Sequence, residues 1–169
     1  MTILLWLFNV TAQENYDFLK NPVTFDVELD YSDAKIGGLP ANDYFMLHHS
    51  DVKEYERIYK ETMFPIFVRN FNNKTPNGYK IIPNSTDAEY KILVKIKRID
   101  TDDGAASADI IIYNINSKEV LVKYSCYGKG DRWESFLSLS KYGFEHLGDD
   151  AGKKLAKQIK KINKPQTYY

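Results

Sequence analysis

Cysteine is nearly absent from the chain. Cys126 is the only one in 169 residues, so no internal disulfide can form and the fold must be held by packing alone. A net charge is absent too: Lys plus Arg and Asp plus Glu stand at 23 each, so no global field draws the chain to nucleic acid or to an anionic membrane. No apolar run reaches the length of a membrane span, since the candidate at residues 3–8 is far too short. Motifs that announce chemistry are missing as well. There is no Gly-x-Ser-x-Gly elbow, no phosphate loop and no His-Glu-x-x-His helix, so no catalytic residue, metal or cofactor is assigned.

The length fits one domain, with 13 Tyr and 9 Phe to fill its core or an interface. The balanced charges are unevenly placed. Acid dominates from Glu14 to Asp51, whereas Lys153, Lys154, Lys157, Lys160, Lys161 and Lys164 make the end basic. Such a run reads as a solvated helix face whose cations suit a helix C-terminus, with a polyanion or membrane contact as the alternative.

Ile3, Leu4, Leu5, Trp6, Leu7 and Phe8 are followed by Val10-Thr11-Ala12-Gln13. Small residues at those places suit signal peptidase, with the cut between Ala12 and Gln13. The run lacks the positive residues that normally precede an export signal. Either the natural start lies upstream or the run is a buried first element. The expected organisation is a truncated signal peptide over 1–12, an extension over 13–22, one domain over 23–162 and a tail over 163–169.

Val23, Phe25, Val27, Leu29 and Tyr31 alternate with Thr24, Asp26, Glu28, Asp30 and Ser32, the period of a strand with one buried face. Gly37, Gly38 and Pro40 then end it in a loop that runs on to His49. Ser50 or Asp51 can cap a helix along which Val52, Tyr55, Tyr59, Met63 and Phe67 form an apolar stripe. Pro65 is expected to kink or end it early, and Asn70 to Gly78 reads as a polar break. Residues 79–82 form a short apolar run, and 90–97, 106–115 and 120–127 read as the strands of an antiparallel meander. Leu139, Gly143, Leu147, Ala151, Leu155 and Ile159 trace a long C-terminal helix, or two joined near Gly148. These elements predict an α+β fold, a two-layer α/β sandwich in which a mainly antiparallel sheet of four or five strands carries helices 51–69 and 133–162 on one face.

Several residues are weighed for chemistry. Asp100-Thr101-Asp102-Asp103-Gly104 has the composition of a calcium loop, but its glycine comes one position early and Ile111 stands where a bidentate Glu belongs, so a hairpin turn is the better reading. Side chains of His48 and His49 diverge and read as exposed loop residues. Cys126 lies in an apolar strand as a small hydrophobe, and would need His146 or another base to act as a nucleophile. Gly128, Lys129 and Gly130 stand at a strand-to-helix junction suited to an anion, with Asp131 as the alternative helix cap. Lys91, Lys95 and Lys97 share one strand face. If the acidic strand of Asp26, Glu28 and Asp30 neighbours them, the charges pair across the sheet. If it lies apart, two patches of opposite sign make a binding surface.

Three segments carry a resemblance: the Thr11-Ala12-Gln13-Glu14 end of the signal, Val27 to Ile36, and Tyr127 to Phe136. Together they resemble small exported Bacteroidetes proteins of uncertain function. The element order is similar to the N-terminal domain of the translocation protein TolB and to related envelope lipoprotein domains, which implies a protein-binding module. The expected function is therefore a non-enzymatic envelope protein, periplasmic or secreted, that binds or helps assemble other envelope components, with a protein partner. The alternative is a secreted hydrolase whose site is assembled from scattered residues.

Overall fold

The alternation at residues 23–32 becomes strand β1 (Thr24–Asp30) in the computed structural model, which describes residues 15–48, 52–131 and 135–164. Next comes a hairpin of β2 (Lys35–Ile36) and β3 (Leu39–Pro40), turned by Gly37 and Gly38 at φ 56° and 88°. Two consecutive positive φ values make the tight turn that matches strand twist, and glycine meets them without a Cβ penalty. Helices α1 (Ala41–His48) and α2 (Val52–Lys74) follow. Strands β4 (Lys80–Ile81), β5 (Tyr90–Ile99), β6 (Ala106–Asn114) and β7 (Val120–Gly128) lead to helix α3 (Phe136–Ile162).

Among the described residues the sheet has seven strands, in spatial order β4-β1-β5-β6-β7, with the β2–β3 hairpin beside the far end of β5 on the β1 side. Strands β5, β6 and β7 form the expected antiparallel meander. β1 departs from it, pairing parallel to both β5 and β4. The chain crosses from β1 to β5 through α1, α2 and β4, and a helical crossover is what a parallel pair requires. The result is a mostly antiparallel mixed sheet with its helices in one layer. Phe25, Val27, Ile92, Val94, Ile96, Ile110, Ile112 and Val122 of the sheet meet Phe67, Phe71, Leu147 and Leu155 of the helices in one core.

Four local expectations are corrected. Pro65 neither ends nor shortens α2, because it sits on the exposed side of the helix, where the carbonyl left without its partner can be hydrated. The asparagines at 70 and 72 belong to α2 rather than to a break. Asn70 Nδ2 donates to the Ile66 carbonyl, while Asn72 clasps β4, accepting from Ile81 N at 2.7 Å and donating to Ile81 O at 2.9 Å. The stretch before His49 contains α1, whose Ala41, Tyr44 and Phe45 are buried. Finally, α3 is one unbroken helix that begins at Phe136 and is capped by Ser135, not by Asp131. The signal segment, His49, the proposed caps Ser50 and Asp51, and the side chains of His48, Val52, Tyr55 and Tyr59 lie outside what is described. Met63 and Phe67 of the same stripe are fully buried.

Candidate functional site

The side of the sheet away from the helices carries the first group of candidates. In the parallel register, Asp26 stands opposite Lys91 and Asp30 opposite Lys95, so the acidic and basic strands are neighbours. Lys91 Nζ lies 3.0 Å from Asp26 and 3.7 Å from Glu28. Lys95 reaches Asp33 at 2.5 Å, and Lys97, at a bulge between Ile96 and Arg98, reaches Asp109 of β6 at 2.8 Å. Of the two arrangements weighed above, this is the first, with charges paired across strands. The hydrogen bond from Lys91 to Asp26 raises the Lys91 pKa, against the effect of burial. Asp109 is the focus of the face. It is buried although it points away from the core, held by Lys97, by Lys123 at 3.4 Å and by the Ser125 hydroxyl at 2.7 Å. Burial alone would raise its pKa, but the hydrogen bonds from Lys97 and Ser125 and the two lysine charges together lower it below the usual 3.8.

The glycine junction has a different geometry from a helix N-terminus. β7 ends at Gly128, and the cap of α3 is Ser135. A Cβ on Gly128 would collide with the Gly143 carbonyl of α3, and one on Gly130 with the Asp103 carbonyl. Asp131 N donates to that same Asp103 carbonyl at 2.8 Å. Gly128 and Gly130 thus let helix, strand and turn touch backbone to backbone. Lys129 between them is exposed and gives its carbonyl to His146 Nδ1 at 2.9 Å. A carbonyl only accepts, so Nδ1 carries the proton.

Cys126 points into the core, and burial followed by the nearby Asp150 charge pushes its thiol up to about 12. Such a thiol stays protonated and is a poor nucleophile. His146 is exposed and tied to Lys129, so the structure does not make a pair of the two. The acidic turn is the hairpin connection between β5 and β6: Asp100 Oδ1 accepts from Asp102 N at 3.0 Å and Asp103 Oδ1 from Ala105 N at 2.8 Å. Among the described residues, no three His, Cys or acidic side chains gather closely enough to hold a metal ion.

What remains is the basic end of α3. Gly148 and Gly152 let α2 lie against α3, since a Cβ on Gly152 would come within 2.6 Å of the Phe71 carbonyl. That contact sets Lys74, the last residue of α2, beside α3. Asp149 is shared by Lys74 at 3.3 Å and Lys153 at 3.5 Å, while Asp150 holds Lys154 at 2.7 Å. Beyond them Lys157, Lys160, Lys161 and Lys164 are exposed, with no carboxylate partner among the described residues. These lysines line an open furrow of about 470 Å³ floored by Ala156, and Lys157 and Lys161 border a second depression of about 220 Å³.

Solved structures supply the comparison. A PelC dodecamer from Paraburkholderia phytofirmans matches at 8% identity over 81% of this chain and 89% of that one, with a TM-score of 0.46. Protein XCC0632 from Xanthomonas campestris, of the DUF330 family, matches at 9% identity over 85% of this chain and 91% of that one, with a TM-score of 0.45. No family model matches the chain, and no curated sequence matches it. Identities this low carry no site residue across.

The furrow was half-visible in the sequence, as a lysine run. The second wall was not, because only the helix contact at Gly148 and Gly152 brings Lys74 to it.

Proposed function

We propose that the protein is an exported binding module of the cell envelope, working by contact rather than by catalysis. The observation that carries this reading is where its reactive groups stand. Cys126 is packed and protonated, His146 is bound to a backbone carbonyl, and Asp109 is spent on two lysines and a serine. Among the described residues, the chemistry left over is the lysine furrow on α3. Its charges face solvent, as a surface made for contact does.

The apolar run ahead of Val10-Thr11-Ala12 and the likeness of three segments to exported Bacteroidetes proteins support export to the periplasm or beyond. A TolB-like order of elements supports a role in binding or assembling other envelope components. Among the described residues, no helix is long and apolar enough to cross a membrane. The test is a screen of the purified protein against ester, peptide, glycoside and phosphate substrates. No turnover above background is expected. Turnover that disappears on changing one polar residue would overturn the proposal.

A further inference from the structure

The inference drawn from the α3 furrow deepens the preceding reading and rests on it only for the compartment in which the partner is met. We propose that the furrow between the end of α2 and the last turns of α3 binds an extended acidic polysaccharide. Lys74 and Lys153 share the single carboxylate of Asp149, and the lysines beyond have none among the described residues, so the furrow carries surplus positive charge. Lys153, Lys157 and Lys160 or Lys161 climb α3 about one turn at a time, a step of about 5.4 Å, and Lys164 follows just beyond the last helical residue, Ile162. That step is close to the length of one sugar ring in an extended glycan, so each charged sugar can meet one ammonium. From Lys153 to Lys161 the row spans about 12 Å, room for roughly two sugars.

Three features separate this partner from other polyanions. The furrow's cations are all lysine, and an ammonium on a flexible stem is a point charge that accepts any anion geometry, unlike the fork of arginine. That suits a repetitive, mobile polymer. The lysines stand on two helices across a concavity, whereas a flat bilayer would meet a ridge; α3 also turns its apolar stripe into the core, leaving nothing to insert. Among the described residues no aromatic ring lines the furrow, and rings are what single-stranded nucleic acid uses for stacking.

The experiment titrates the purified full chain with polygalacturonate oligosaccharides, and in parallel with dextran, single-stranded DNA and vesicles rich in anionic phospholipid. Polygalacturonate is expected to bind and dextran to fail, with affinity falling steeply between about 0.05 and 0.15 M salt. The double variant Lys157→Glu with Lys161→Glu should lose roughly tenfold or more in affinity. Lys141→Glu, exposed on the same helix outside the furrow, should bind as the parent does. If the double reversal disturbs folding, Lys157→Gln with Lys161→Gln must still weaken binding severalfold. Absence of salt-dependent glycan binding, indifference to both double variants, or equal binding of DNA or vesicles would overturn the inference. Failure here by an exported, catalytically inert protein removes this inference alone. Glycan binding by a protein found in the cytoplasm removes the export reading alone.

Discussion

Asp109 gathers more of the sheet's polar chemistry than its neighbours on that face, because a buried carboxylate has to be satisfied or neutralised. Replacing it with Asn keeps a hydrogen-bond acceptor for Ser125 but loses the charge that Lys97 and Lys123 are drawn to. The expected cost is about 1–2 kcal/mol, since both ammonium groups stay half in water. Urea denaturation should show a lower midpoint at an unchanged slope. Folding lowers the pKa of Asp109, and of Asp26 beside Lys91, below 3.8, so the native state binds fewer protons than the unfolded one at acid pH. Their stabilisation is complete above that value and lost as pH falls through the depressed native value. Part of the acid destabilisation between pH 5 and 2 should therefore vanish in Asp109→Asn. Lys91→Glu sets three acids together with Asp26 and Glu28, and should cost about 1–2 kcal/mol. A Lys91→Glu protein that melts like the parent would show that the cross-strand pairs do not hold the sheet. Cys126 offers a kinetic check: with its thiol pushed up to about 12, a disulfide reagent should react only at the rate of unfolding. Immediate modification of the native protein would contradict its burial.

Elements were legible in the sequence where one face decides, and illegible where a distant contact does. Strict alternation located β1 and β5, and the apolar stripe located α3, because burial of one face imposes a period that survives in the sequence. The last turns of α2 were hidden because Asn70 and Asn72 favour loops by themselves. Their side chains are satisfied by Ile66 and by β4, and only the second of these is remote from the helix. The parallel pairing of β1 was hidden for the same reason: alternation reports a face, never a neighbour. Glycines at the α3 contacts test the element packing. Gly143→Ala would push its methyl into the Gly104 carbonyl and should cost about 1–3 kcal/mol, read as a fall in melting temperature. Edge strand β7 is guarded in a way composition does not announce. Asn15 N, Lys154 Nζ and Asp150 occupy Leu121 O, Ser125 O and Tyr127 N, which would otherwise invite another strand.

At the scale of the whole molecule, a helical layer covers one side of a mixed sheet, and charge is sorted by layer. On the open sheet face acids and lysines are matched, so that face is largely self-satisfied. On the helical side, the end of α3 keeps lysines in excess. The two-layer plan was legible because each helix and strand has a single apolar face, and pairing those faces leaves little choice. The candidate site was legible only as a basic run. Its concavity depends on the α2–α3 crossing, and the pairing that neutralises the sheet lysines depends on strand order. The reading of the protein as an exported binding module is tested most directly by its N-terminus in fractionated cells. Mass spectrometry should find the mature chain in the periplasm or the medium, starting at Gln13. Chain recovered from the cytoplasm with Met1 and the apolar segment intact would contradict it.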